Sequence, residues 1–353
     1  MKQPQFEARV VSGMRPTGRL HVGHYFGALQ NYVRLQDEYK CFFMVADLHA
    51  LTTGDLTKLE LAQNTRDMVL DWLAVGIDPA KAVVFVQSGV PEHSELYLLL
   101  SMFTSLGWLE RNPTYKEQRE QLGEKATGSL GFLGYPVLQT VDVCMYKGTR
   151  VPVGEDQKPH LEMGRELVRR FNGSFKKPVF PEFEALLTPV PKLLGTDNRK
   201  MSKSYGNTIG LTEDPDTIRK KVKAMITDVN RPRREDPGHP EVCNVFTFHK
   251  LLTPAARVAE IEGECRSARL SCGDDKSALA DRIIAWSEPF RARRRELERD
   301  MGYVEEQLKL GTERARVIAV QTMDEVFDTM DFWPPRRRKP GASPIADPRQ
   351  ALP

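Results

Sequence analysis

The stretch Ala8-Arg9-Val10-Val11-Ser12-Gly13-Met14-Arg15-Pro16-Thr17-Gly18-Arg19-Leu20-His21-Val22-Gly23-His24 decides the fold class. Its apolar run, Ala8 to Val11, ends in Ser12-Gly13, and an amphipathic pattern begins near Gly23 with apolar residues at Phe26, Leu29, Val33 and Leu35. That order predicts a strand, a loop and a helix. Such a turn directs backbone N–H groups and the positive end of the helix dipole outward, which suits a polyphosphate. Gly13, Gly18 and Gly23 let backbone approach a nucleotide, and His21 and His24, three apart, can donate to phosphate oxygens. The imidazoles stabilise charge and attack nothing. Either histidine alone reads as a satisfied surface or core residue, whereas the pair behind a glycine-rich strand end reads as a phosphate site.

Outward from this unit, the strand-like runs Phe42–Ala46 and Val83–Val86 alternate with helix-like stretches near 23–37, 58–74 and 94–106. Alternation of this kind predicts an α/β fold, a doubly wound parallel sheet. From about residue 207 the pattern is helical, near 213–227, 254–264, 276–300 and 302–330. The predicted division is a Rossmann-like catalytic domain over 1–206, a helical domain over 207–330 and a basic tail over 331–353. That tail holds six of the 24 prolines beside Arg336-Arg337-Arg338-Lys339 and is expected to stay disordered. A chain of 353 residues exceeds what one core organises.

No apolar stretch is long enough to span a bilayer, and the N-terminus lacks the charged and apolar regions of a signal peptide. Five cysteines without disulfide-like spacing fit a reducing compartment, so a soluble cytoplasmic protein is expected. The net charge of +3 equals the contribution of residues 331–353, which carry five Lys or Arg and two Asp. Nucleic-acid binding must therefore come from local patches. Candidates are Arg231, Arg233 and Arg234, and Arg291, Arg293, Arg294 and Arg295, unless they pair with Glu235, Asp236, Glu296 and Glu298 on exposed helix faces.

Three further segments carry chemistry. Lys200-Met201-Ser202-Lys203-Ser204, bracketed by Gly195 and Gly206, is expected on a mobile loop whose lysines stabilise charge on a departing pyrophosphate. It is not a Walker A sequence. A helix is expected to start at Pro136, placing Tyr135, Gln139 and Asp142 on one face. A polar stripe on an apolar helix points to a ligand: the carboxylate can accept from an indole N–H, and Tyr135 with Gln139 can meet an α-ammonium group. Gly154-Glu155-Asp156-Gln157 opens another helix, with backbone and carboxylate suited to a ribose and a helix N-cap role compatible with it.

The pair His21-Val22-Gly23-His24 and Lys200–Ser204, in this order and separation, resembles the signatures of class I aminoacyl-tRNA synthetases. Ser12–Gly18, Ala46–Thr52, Val151–Gln157 and Arg169–Asn172 are similar to the tryptophanyl members, over roughly residues 8–330. The resemblance implies activation of L-tryptophan with ATP and Mg²⁺, transfer to tRNA(Trp), an all-helical tRNA anticodon-binding domain over 207–330, and a homodimer. It implies catalysis by His21, His24, Lys200 and Lys203. ATP contacts are implied at Gly13, Arg15, Pro16, Thr17, Gly23, His24, Gly154, Glu155, Asp156, Lys200, Met201, Ser202, Lys203 and Ser204. Tryptophan contacts are implied at Val11, His49, Tyr135, Gln139, Asp142 and Gln157, with Asp142 the specifying acceptor.

Many bacterial tryptophanyl members have Met where Gln139 stands, and Tyr-x-x-x-Gln-x-x-Asp also occurs in tyrosyl-tRNA synthetases, so these are the nearest alternative. A small-molecule nucleotidylyltransferase or a synthetase copy kept as a tRNA-binding module is a reading from another class. A subset of the bacterial tryptophanyl family carries Cys-x₂₂-Cys-x₆-Cys-x₂-Cys in the helical region. Here Cys243, Cys265, Cys272 and Asp275 follow at x₂₁, x₆ and x₂, a candidate [4Fe–4S] site with Asp275 as fourth ligand. Zinc and ordinary buried thiols are the other readings.

Overall fold

Strand residues that alternate between two buried faces build the centre of the molecule. In the computed structural model, which describes residues 6–52, 59–123, 127–187 and 193–333, five parallel strands lie in the order β3-β2-β1-β4-β5. They are β1 (Arg9–Met14), β2 (Lys40–Val45), β3 (Ala82–Val86), β4 (Arg150–Val153) and β5 (Glu184–Leu187). β1 runs in register with β2 from Arg9↔Lys40 to Met14↔Val45, and β2 with β3 from Cys41↔Ala82 to Val45↔Val86. Strand order reverses between β1 and β4, so ligands are expected past their carboxyl ends. β5, a half-exposed edge, has no counterpart among the strand runs read from sequence.

Successive residues point to opposite faces of the sheet. Phe42 joins Phe85, Val141, Tyr146 and Phe171 on one side, and Phe43 joins Val10, Tyr32, Trp72 and Leu73 on the other. The helices are α1 (22–35, with a π turn at Tyr25–Leu29), α2 (Asp47–Ala50), α3 (Leu61–Ala74), α4 (Glu92–Ser101), α5 (Leu106–Glu110), α6 (Pro113–Leu122), α7 (Leu130–Met145) and α8 (Lys158–Phe175). After β5 follow α9 (Pro215–Lys223), α10 (Asn244–Leu252), α11 (Ala255–Arg266), α12 (Cys272–Arg299) and α13 (Met301–Thr329).

The helical region is bound to the α/β part at several places. A third apolar cluster mixes Val22, Phe26, Met201 and Ile209 with Val222, Phe248 and Ile283. The last helix, α13, crosses β3 so closely that a Cβ on Gly311 would lie 1.8 Å from the Val84 carbonyl oxygen.

Two sequence expectations change. The helix expected near 94–106 ends at Ser101, and a separate α5 begins at Leu106. Helix α7 does not begin at Pro136: Ser129 caps it, accepting from Phe132 N–H at 3.1 Å, and the proline stands inside. A side-chain cap at Ser129 outweighs the preference of proline for a first turn. The tail expectation falls on 334–353, outside the described residues.

Candidate active site

The carboxyl ends of β1, β2 and β4, with α7, enclose a cavity of about 360 Å³. Val11, His49, Tyr135, Gln139, Asp142 and Gln157 all line it, together with Gly13, Arg15 and Gly154. Gly13 serves packing as well, since a Cβ there would come 2.7 Å from Met44 Cγ.

Asp142 lies at the buried side of this cavity with 2 % of its surface exposed. Its Oδ2 faces His49 Nε2 at 3.0 Å, and its Oδ1 accepts from Gln87 Nε2 at 2.7 Å and from His93 Nδ1 at 2.8 Å. Burial would raise the pKa of this carboxyl, but the His49 and His93 side chains bring it below the ordinary carboxylate range. His93 Nε2 meets the Tyr146 hydroxyl at 2.7 Å. With Nδ1–H directed at the carboxylate, Nε2 is the acceptor and Tyr146 the donor.

Tyr135 is oriented by a second chain. Asn112 Oδ1 accepts from Thr114 N–H at 3.0 Å, which turns its amide nitrogen toward His160 Nδ1 at 3.2 Å. His160 Nε2 then carries the proton and donates to the Tyr135 oxygen at 2.7 Å. Gln87, His93, Asn112 and His160 were missed from sequence. A histidine on a half-apolar helix carries no periodic signal that distinguishes it from an ordinary core residue.

The second group of candidate residues gathers to one side. The segments around His21 and after Lys203 pair antiparallel: Val22 N–H donates to Ile209 O, His21 bridges Gly210, and Leu211 N–H donates to Leu20 O. The His21 and His24 rings are 3.7 Å apart, and His21 N–H donates to His24 Nδ1 at 3.2 Å. His24 is thereby neutral with its proton on Nε2. Burial and the nearby Lys203 charge push the His21 pKa down to about 4, and burial, His21 and Lys203 hold His24 well below its ordinary value. Lys203 itself is brought down to about 8 by burial, against the upward pull of Asp71 and Asp67. Among the described residues, Lys203 Nζ and His21 Nδ1 are buried without a hydrogen-bond partner.

Gly18, at φ +116°, lets the loop pass close to Lys203, whose Nζ would be 3.5 Å from a Cβ there. A Cβ on Gly23 would sit 3.0 Å from the His21 ring and 3.3 Å from Met201 Sδ. Met201 is buried among Val22, Phe26 and Ile209. The 200–204 segment, expected on a mobile loop, is anchored here by Asn207: its Oδ1 accepts from Ser202 N–H at 2.8 Å, and its amide donates to Asp197 and the Lys200 carbonyl. Lys200 is exposed, and Glu155 pairs outward with Lys158 at 2.5 Å. Pro16, Thr17 and Ser202 lie outside the lining of the large cavity. The side chains of Asp156 and Ser204 fall outside the description.

The basic patches and the cysteine set change most. Arg231, Arg291 and Arg294 are buried: Arg291 binds Glu288, Ser287 and the Ile284 carbonyl, and Arg294 binds Asp67, Asp71 and Glu298. They are internal fasteners. Arg293 pairs with Glu296 and Arg295 with Glu288. An iron–sulfur cluster needs thiolates that converge on one centre. Among the described residues no group of three His, Cys, Asp or Glu side chains is arranged to hold a metal. Instead Arg231 Nη1 donates to the Leu270 carbonyl at 2.9 Å and faces Cys272 Sγ at 3.8 Å, burial pushes the Cys243 and Cys265 thiols up, and Asp275 lies 3.2 Å from His249 Nε2. The four residues do not fit the cluster.

Residues 3–287 match the family described as tRNA synthetases class I (W and Y). The chain is 48 % identical to the tryptophan–tRNA ligase of Thermotoga maritima, over 92 % of this chain and 99 % of that one. It is 43 % identical to the tryptophan–tRNA ligase of Aquifex aeolicus, over 92 % and 100 %. The crystal structure of tryptophanyl-tRNA synthetase from Campylobacter jejuni complexed with ADP and tryptophan superposes with a TM-score of 0.82 at 33 % identity, covering 92 % of this chain and all of that one.

Proposed function

The chain belongs to the class I tRNA synthetases, in their tryptophan branch, and on that premise we propose how its residues divide the work. The protein activates L-tryptophan with ATP, releasing pyrophosphate, and transfers the tryptophanyl group to tRNA(Trp). The tyrosyl alternative gives way to full-length relatives that are tryptophan enzymes.

The observation that carries the site reading is Asp142, an ionised carboxylate at the buried wall of a cavity lined by both polar and apolar side chains. Three donors already surround it, and a carboxylate has about four acceptor positions. The indole N–H takes the remaining one, which a phenol or a plain ring fills less well. Tyr135 and Gln157 receive the α-ammonium group. The tryptophan carboxylate then attacks the α-phosphorus in line, the bond to the bridging oxygen breaks, and Mg²⁺-pyrophosphate leaves. Magnesium arrives on the ATP phosphates. Lys203 supplies the positive charge and His24 Nε2–H a neutral hydrogen bond to the polyphosphate, and Lys200 reaches it from the loop surface.

The family relation also implies a homodimer, and Leu98, Met102, Leu106 and Leu130, all well exposed on helices that pack together, offer an apolar face for it. No described helix is long and apolar enough to cross a membrane, and we infer a cytoplasmic location from the proposed charging of tRNA. The test is ATP–pyrophosphate exchange with purified protein and each of the amino acids in turn. Exchange with tryptophan alone is expected. Exchange with tyrosine, or silence with all, overturns the reading.

A further inference from the structure

Below the phosphate end, away from the tryptophan cavity, one carboxylate with no exposed surface joins three parts of the chain. Asp71, on α3, accepts through Oδ2 from Leu20 N–H at 3.1 Å, the residue ahead of His21. Its Oδ1 accepts from the Thr212 hydroxyl at 3.1 Å and from Arg294 Nη1 at 2.6 Å. Asp67, one turn earlier, accepts from Arg294 Nη2, and its carbonyl accepts from Arg294 Nη1 at 3.2 Å. Leu20 and Thr212 flank the antiparallel pairing that holds the His21 segment against the chain following Lys203. The carboxylate therefore pins both edges of that pairing, and Arg294 ties the same carboxylate to α12.

A buried ion pair contributes little net stability compared with apolar packing, and its best-attested use is to fix one arrangement among alternatives. Here the arrangement fixed is that of two segments far apart in the sequence, around Leu20 and around Thr212, with a helix of the C-terminal region. We propose that Asp71 is a positioning residue for adenylation, holding the His21 and Lys203 segments in register and coupling them through Arg294 to the placement of α12. The inference rests on Lys203 serving the phosphates. A displacement of α12 reaches His21 and Lys203 together and leaves the Asp142 cavity untouched, because none of Asp71, Thr212 and Arg294 lines that cavity.

Three variants of the full chain test this. Asp71→Asn keeps shape and one acceptor but removes the charge that Arg294 meets. Thr212→Val, at a half-buried position, removes only the loop contact. Lys203→Ala tests the underlying assignment on its own. The readouts are kcat of ATP–pyrophosphate exchange, tryptophan affinity without ATP, and the pH profile of kcat/KM for ATP. Asp71→Asn is expected to lower kcat at least about tenfold with tryptophan affinity within about twofold of the parent, and Thr212→Val to lower kcat about threefold in the same pattern.

The charged and titratable groups around Lys203 are Asp67, Asp71, His21, His24, Arg19 and Glu213, with Arg294 behind the two aspartates. Loss of one carboxylate that favours the protonated lysine moves the high-pH limb downward in Asp71→Asn. A purely structural defect lowers thermal stability and leaves that limb in place. The proposal is overturned if folded Asp71→Asn retains parental kcat, if tryptophan affinity falls in step with kcat, or if the limb stays where it was. Should Asp71→Asn not fold, parental kcat in Thr212→Val overturns it. Parental kcat in Lys203→Ala would instead overturn the assignment beneath it.

Discussion

The tryptophan cavity and the phosphate end are both built from buried polar groups, yet they are finished to different degrees. At Asp142 the donors are already in place, with His49, Gln87 and His93 within 3.0 Å, and Tyr135 has its own partner in His160. At the phosphate end Lys203 Nζ and His21 Nδ1 are buried with no hydrogen-bond partner among the described residues, and both groups titrate far below their ordinary values. A satisfied network costs nothing further when the ligand arrives and therefore selects by shape and by the one acceptor left. An unsatisfied one destabilises the free protein and is relieved when negative charge enters. On the proposed assignment the first arrangement discriminates between amino acids, and the second stores binding energy for the moment when charge grows on the leaving phosphates.

The largest expected effect is at the unfinished end. Lys203→Ala removes the buried cation and should lower kcat of pyrophosphate exchange by about 10²–10³, or about 3–4 kcal/mol of transition-state stabilisation. Tryptophan affinity measured without ATP should stay within about twofold of the parent. A parallel loss of tryptophan affinity would erase the distinction between the two regions.

Asp142→Asn disturbs the finished end and should act in the opposite column: KM for tryptophan rising about a hundredfold, or about 2.7 kcal/mol, with a smaller change in KM for ATP. The amide also turns an N–H₂ toward one of three existing donors, so some thermal stability goes with it. Equal rises in both KM values would mean that the two ends are not separately organised.

How far these two ends were legible in the sequence follows from how each is assembled. The strand–loop–helix around Gly13 and His21, the parallel sheet and the Tyr135–Asp142 face are local patterns with periods of two or 3.6, so one segment suffices to read them. Gln87, His93 and His160 are single side chains delivered by separate elements, and only the strand order brings them to Asp142 and Tyr135. Asp71 and Arg294 are 223 positions apart. Arg294 sits in a run of arginines that reads as a nucleic-acid patch, and its burial depends on α12 lying against α3. The cysteine spacing was legible and misleading: thiols stand at nearly the right intervals, yet among the described residues no three metal-binding side chains are arranged to hold a metal, and the Arg231 guanidinium faces Cys272. Pro136 stood for a helix start because local preference cannot register the Ser129 cap further back.

The smallest expected effect separates the two ends by pH alone. Burial puts the Lys203 pKa near about 8 in the free protein, although Asp71 and Asp67 pull it upward. Since kcat/KM reports the free enzyme, kcat/KM for ATP should fall as pH rises through about 8, by about half at the midpoint. Once ATP is bound, its phosphates favour the ammonium form, so the corresponding limb in kcat lies at higher pH. Stability moves the other way. A lysine whose folded pKa is depressed disfavours the folded state while protonated, and this penalty is fully present below about 8 and relieved as pH rises from there toward the ordinary lysine value of about 10.4. Asp142, whose pKa is lowered, stays ionised throughout this range, so tryptophan affinity without ATP should be flat between about pH 7 and about 8.5. Titration calorimetry for tryptophan alongside exchange kinetics for ATP checks both halves. A tryptophan affinity that bends near pH 8 would show that Lys203 is felt in the cavity, and that the boundary between the two regions lies elsewhere than between Asp142 and Asp71.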